Sequence, residues 1–354
     1  KLPVSSVRKN LRMIIVVILI GVAINIVISF FLDSDSIRDA LKRVKPWHVA
    51  VPFLCYLLIC LVDSVRLSIV LHQYKIKISF LQAFYNSVLG YFFSNLTPMA
   101  TGGQPFQVYH LTQNNCDSRT AVNVMLSHFV EYMFMATIIS VFSIKRVIPI
   151  VRSSGLATAI LYIGLGVSLF FTLFFAGLLV RPQMVIRLAE FFEHTFIGRK
   201  IGKLFQKHNW VDFIKRWVTQ LRENIKFLWI ERPLIVLLDS ALGLCIILIQ
   251  AFSLYYVIDS IADPDVRYHQ IATIFIILNL IVYYIPTPGA SGSIEGVYSM
   301  VFTAVTGMPA MTAMAVIVWR FSSYYLHLLF ELAIFGMYSR SRVKDGRSAV
   351  LPSI

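Results

Sequence analysis

The feature that most constrains this chain is a series of apolar runs, each long enough to cross a bilayer as a helix. Six of them fall at residues 13–32, 47–72, 119–143, 156–180, 233–258 and 310–338. Hydrocarbon offers no partners to backbone N–H and C=O groups, so runs of this length cross it as helices. The expected fold class is therefore an all-α polytopic membrane protein, one transmembrane domain over residues 1–354. Composition agrees: 57% of the 354 residues are hydrophobic and only 14% are charged, against about a quarter charged in globular domains. Arg8, Lys9 and Arg12 precede the first run. A signal peptide has a shorter apolar core and a small-residue cleavage site, so this run is read as a retained span.

Two further apolar segments, 80–115 and 269–306, are interrupted. The run from Phe80 to Leu96 stops at Thr97-Pro98-Met99-Ala100-Thr101-Gly102-Gly103-Gln104-Pro105. Its return leg, 106–115, carries Gln107, His110, Gln113, Asn114 and Asn115 and does not suit lipid. The second segment breaks at Pro286-Thr287-Pro288-Gly289-Ala290-Ser291-Gly292-Ser293-Ile294-Glu295. Proline and glycine end helices, and open backbone at membrane depth survives only inside protein or beside water. Both segments are read as re-entrant hairpins, broken at Thr97, Pro98, Gly102 and Gly103 and at Pro286, Pro288, Gly289 and Gly292. The breaks also repeat one another. Thr97/Thr287, Pro98/Pro288, Ala100/Ala290 and Gly102/Gly292 are identical at a constant offset. Inverted repeats with interrupted helices point to transporter binding sites near the bilayer midplane.

The net charge of +14 lies in the segments between apolar runs. Residues 181–232 hold eleven Lys/Arg against five Asp/Glu, with Phe213, Trp217, Leu221, Ile225 and then Leu228 at helical spacing. Amphipathic helices on an anionic membrane surface are expected there, and no nucleic acid is expected as a partner. With six full spans and two hairpins of opposite orientation, the N-terminus, 181–232 and the basic tail (Arg340, Arg342, Lys344, Arg347) share one face. The acidic loop with Asp259, Asp263 and Asp265 falls opposite, so the positive-inside rule puts both termini in the cytoplasm. The loop with Lys145, Arg146 and Arg152 is the one piece of charge on the other side of that argument. The four cysteines form no C-x-x-C pair, which argues against disulfides and zinc.

Charged groups inside spans face a partner or a cavity. Arg320, Tyr324, His327 and Glu331 are spaced to share one helical face. Arg320 can be held by Glu295 or by Glu131, or can grip a phosphate bidentately. His128 is read as a satisfied polar residue, Asp63 and Arg66 as an i, i+3 pair on their own helix, and Asp239 as structural. Asn25 and Gln250 read as polar groups joining helices. Helix N-termini after the breaks, around Gln104 and Ser293 and next to Ser291, offer N–H groups to an anion. No H-E-x-x-H, P-loop, G-x-S-x-G or acidic metal cluster is present in the sequence. No catalytic residue, metal or cofactor is expected, and without a nucleotide site transport would be downhill or ion-coupled.

Three segments, P-T-P-G-A-S-G-S-I-E, T-P-M-A-T-G-G-Q-P-F-Q-V-Y and the W-R-F-S-S-Y-Y run at 319–325, resemble the transmembrane (flippase) domain of the lysylphosphatidylglycerol synthase, or multiple peptide resistance factor, family and its short forms lacking the synthase. The resemblance covers nearly the whole chain. It implies a bacterial inner-membrane protein that moves anionic or aminoacylated phospholipids between leaflets. Long members carry a soluble transferase domain. This sequence ends about sixteen residues after its last span, so lysyl transfer is expected to be absent. Ala290 stands where the family pattern has glycine. The partners expected are membrane phospholipids, with a separate lipid-modifying enzyme and a homo-oligomer left open. The rival readings are a membrane subunit presenting lipid to such an enzyme and an ion-coupled transporter of a small solute.

Overall fold

The structure is a computed structural model that describes residues 34–152, 154–181, 183, 186, 187, 190, 210–282, 287 and 289–344. The 13–32 run, most of 182–209 and the break prolines Pro286 and Pro288 lie outside these residues, as does Asn25. The described chain is helical and holds no β-strand: α1 (Ser34–Arg43), α2 (Pro46–Gln73), α3 (Phe80–Leu96), α4 (Gly103–Thr112), α5 (Ser118–Val151), α6 (Gly155–Val180), α7 (Trp210–Trp229), α8 (Pro233–Ala262), α9 (Tyr268–Val282), α10 (Ser293–Thr306), α11 (Pro309–Arg320) and α12 (His327–Lys344). A π-helical segment, Phe321–Leu326, joins the last two. Among the described residues five stretches are long and apolar enough to cross a membrane: α2, α5, Gly155–Phe174 of α6, α8 and the continuous Pro309–Arg340. The polar stretch after residue 33 forms α1. The 145–152 loop is absorbed into the 34-residue α5.

Local chemistry accounts for the helix ends. Pro46 and Pro233 open α2 and α8 at positions where a missing N–H costs nothing. Ser79 caps α3 by accepting from the Gln82 N–H while Gln82 reaches back, and the Asp117 and Ser154 side chains cap α5 and α6. Helix α9 is too short to span a bilayer. It is nonetheless buried on most sides, with Ile271, Ile274, Ile277 and Leu280 inaccessible among α5, α6 and α8. A helix that is apolar all round belongs inside protein. Helix α6 does the opposite, exposing Leu156, Ile163, Phe170 and Leu173 as a face suited to lipid.

Helices α3 and α4 pack against each other. Gln82 near the start of α3 donates to Asn114 just past the end of α4, and Asn86 donates to the Gln107 carbonyl. The pair therefore begins and ends at one end of the molecule. Gly103 permits the approach, because a Cβ there would overlap the Ser94 hydroxyl. At that same end Tyr74 donates to the Asn224 carbonyl and the Asn123 amide donates to the Tyr74 hydroxyl. The end of α7 is thereby docked on α2 and α5, with Trp229 donating to Ser127. At the opposite end Arg43 donates to the Ile261 carbonyl, and α1 packs on α11.

Candidate functional site

The two breaks share a backbone conformation. Met99 and Ala100 have φ of 55° and 53°, and their counterparts Gly289 and Ala290 have 57° and 50°. The Ala100 N–H donates to the Thr97 carbonyl at 3.2 Å and the Ala290 N–H to the Thr287 carbonyl at 3.0 Å. Three of these four residues are not glycine and still occupy the left-handed region, which costs about 1–2 kcal/mol each. Strain of this kind persists where surrounding packing fixes it, and it collects at functional sites.

Each break satisfies the N–H of its matched glycine with a side chain. The Thr97 hydroxyl accepts from Gly102 at 2.8 Å and donates to the Phe93 carbonyl at 2.7 Å. The Glu295 carboxylate accepts from Gly292 at 2.7 Å. Those two N–H groups are therefore occupied.

Arg320, 5% exposed, lies against the second break. Its Nη2 donates to the Gly289 carbonyl at 2.8 Å, and its Nε meets Glu295 Oε1 at 3.3 Å. Its guanidinium carbon sits 4.1 Å from the Tyr324 ring centroid, within cation–π range. Tyr324 also presses on Gly289, where a Cβ would collide with the phenol, and its hydroxyl donates to the Asn95 carbonyl at 3.0 Å. Asn95 closes α3 just ahead of the first break. One phenol thus bridges the two breaks, and Ser291 is buried beside it.

A cavity of about 210 Å³ lies between the breaks, walled by Met99 and Ala100 on one side, Thr287, Gly289 and Ala290 on the other, and by Arg320. The Thr287 hydroxyl and the Gln250 side-chain carbonyl in its wall have no hydrogen-bond partner among the described residues. Buried polar groups normally find partners, so these two suit a polar ligand. A second cavity of about 460 Å³ shares Tyr91, Ser94, Met99, Ala100 and Gln250 with the first, and reaches Arg66, His128 and Gln104.

Of the residues singled out in the sequence, Arg320, Glu295, Tyr324 and Ser291 come together at the second break. Glu131 does not join them. It lies 3.4 Å from Arg66, which also pairs with Asp239 at 2.8 Å and Asp63 at 3.6 Å. The physical reason is that α5 turns Glu131 toward α2 and α8, whereas Arg320 is already neutralised by Glu295. Asp63–Arg66 is the expected local pair, enlarged by Glu131, by Asp239 and by His128, which lies 3.2 Å from Asp239, into a five-residue cluster that sequence spacing does not reveal. His327 is buried between the Phe53 and Tyr56 rings. Glu331 accepts from Tyr56 at 2.6 Å and from Asn95 at 3.3 Å. The face carrying Arg320, Tyr324, His327 and Glu331 is thus buried throughout, with only its first two members at the cavity. Gln104 lines the second cavity rather than the first, and Ser293 lines neither. Tyr56 and Asn95 were not anticipated; the position of Asn95 directly before a break was the available signal.

Five bilayer-length helices among the described residues, with a buried, partly polar cavity at the two breaks, define a multi-pass α-helical membrane protein. The chain belongs to the family described as "Lysylphosphatidylglycerol synthase TM region", whose model matches residues 17–330. It is similar to a "UPF0104 membrane protein" of Archaeoglobus fulgidus, 23% identical over 325 residues covering 88% of this chain and 93% of that protein. It is also similar to a "UPF0104 membrane protein" of Methanothermobacter thermautotrophicus, 22% identical over 316 residues, 88% and 91% of the two chains. No solved structure matches the chain.

Proposed function

We propose that this protein moves phospholipid between leaflets, binding the headgroup phosphate at Arg320 in the cavity between the two breaks while the acyl chains stay in the bilayer. The observation that carries this reading is the long contact between Arg320 and its carboxylate partner beside the cavity. Its contact with Glu295 is 3.3 Å long, and Glu295 keeps the Gly292 N–H and the Tyr325 hydroxyl as further donors. The guanidinium can therefore exchange a carboxylate for a phosphate without leaving Glu295 unpartnered. Removing one member of a buried pair outright costs about 3–5 kcal/mol, and an exchange avoids that. Helix pairs α3/α4 and α9/α10 are re-entrant from opposite leaflets in this reading. Support comes from the start and finish of α3/α4 at one end, and from α11, which follows α10, packing on α1 at the other. With the 13–32 run this gives six full spans, both termini in the cytoplasm, and the basic 181–232 segment on the anionic leaflet of a bacterial inner membrane. The protein acts here as a transporter rather than an enzyme.

Purified protein reconstituted with headgroup-labelled phosphatidylglycerol tests this, using a membrane-impermeant quencher to report which leaflet holds the label. Wild-type protein should expose label from the inner leaflet. Arg320→Ala should slow exposure about 10- to 100-fold, the equivalent of one charge-assisted hydrogen bond or two. Movement that appears only when a lipid-modifying enzyme is added would favour a subunit presenting lipid. Movement that persists in both Arg320→Ala and Glu295→Ala would remove the site.

A further inference from the structure

Beside the second cavity a single guanidinium faces three carboxylates. Arg66 approaches Asp239 at 2.8 Å, Glu131 at 3.4 Å and Asp63 at 3.6 Å, and His128 Nε2 lies 3.2 Å from Asp239 Oδ2. Glu131 Oε2 and Asp239 Oδ2, on α5 and α8, converge on the same nitrogen, Arg66 Nη2, at 3.4 and 3.3 Å, which sets the two carboxyl groups side by side. Two ionised carboxylates have no hydrogen to share and repel at that range. Two carboxyl groups set side by side out of water are most readily relieved of that repulsion by one proton shared between them. Charge counting agrees. Even with His128 protonated, two positive groups face three negative ones, and one bound proton brings the cluster to neutrality. Arg66, Glu131 and Asp239 are 4%, 3% and 2% exposed, so an uncompensated charge there is costly.

We propose that the Glu131–Asp239 pair is a proton-binding site, loaded and unloaded through the second cavity, and that its proton is coupled to the passage of the lipid headgroup. His128 and Asp63 line that cavity and also meet the cluster, His128 at Asp239 and Asp63 at Arg66, so they connect the cavity to the pair. The titratable or charged groups facing the pair are Asp63 and Arg66 from α2 and His128 from α5, with Tyr132 further along the cavity wall; α4 presents the neutral Gln104 and Gln107 there. The second cavity joins the first along Tyr91, Ser94, Met99, Ala100 and Gln250. Loss of the proton places a net negative charge beside the route of an anionic headgroup, and its return removes that charge. Uptake of a proton therefore favours entry of the phosphate, and release favours departure. The coupling rests on the lipid-transport reading; the proton site does not.

Two measurements separate them. In the same liposomes, labelled phosphatidylglycerol movement is timed under an inward and an outward proton gradient. The ratio of the two rates should differ from one in wild-type protein and fall to one in Glu131→Gln, which keeps the hydrogen bond but loses the exchangeable proton. A wild-type ratio of one would overturn the coupling while leaving lipid transport in place. Independently, infrared difference spectra of detergent-solubilised protein between acid and alkaline buffer should show the carbonyl band of a protonated carboxyl group, shifted in deuterium oxide. That band should disappear in Glu131→Gln and change in Asp239→Asn. If the protein moves no lipid, the band alone decides the proton site; a band unaffected in both folded variants, or no band in wild type, would sink it.

Discussion

At the scale of single residues, Arg320 depends on three different contacts, and they define what can replace it. Lysine keeps the charge but forfeits the flat, forked donor that lies over Tyr324 and reaches the Gly289 carbonyl. Arg320→Lys should therefore behave in the lipid assay nearer to Arg320→Ala than to wild type. Gly289 is constrained twice, by φ of 57° and by the phenol against it. Gly289→Ala should destabilise the protein by about 1–3 kcal/mol through overpacking, seen as a lower melting midpoint in detergent, and Tyr324→Ala should restore part of it. The Arg320–Glu295 pair was legible in the sequence because an intramembrane arginine needs a counter-charge. Its choice of Glu295 over Glu131 was not, since both carboxylates lie in apolar surroundings and only their helix rotations tell them apart.

At the scale of elements, the breaks follow from residue type. Clustered prolines and glycines interrupt a helix where single ones such as Pro52 in α2 and Pro149 in α5 do not, so the positions of both breaks could be read directly. Their matched left-handed residues could not, because Met99 and Ala100 have no intrinsic preference for that region. Met99 is 43% exposed and stands where the other break has Gly289. Met99→Gly should stabilise the protein by about 0.5–1 kcal/mol, the relief of left-handed strain less the entropy of a glycine. Ala290→Val, buried and β-branched at positive φ, should destabilise it, and thermal melts of the two variants should move in opposite directions. The π-helical segment after Arg320 also escaped the spacing argument, which assumes 3.6 residues per turn. It accompanies a shift from cavity-facing Arg320 and Tyr324 to packed His327 and Glu331.

At the scale of the whole molecule, side-chain contacts sort the connections into two ends: Tyr74, with Lys77 three residues on, Asn123 and Asn224 belong near one, Arg43 and Ile261 near the other. In a cysteine-free background on sealed cells, an impermeant thiol reagent should label Asp265→Cys and Lys42→Cys and reach Lys77→Cys only after permeabilisation. Labelling of all three on sealed cells would overturn the topology. What the sequence determined by itself is the helical class, the bilayer as solvent and the location of the two breaks, because hydropathy and the backbone limits of proline and glycine act locally. What the tertiary structure decided is which charges meet. Arg66 finds Glu131 and Asp239 across 65 and 173 residues of chain, and such partnerships are set by how helices rotate and cross in a low-dielectric interior, which no local pattern encodes.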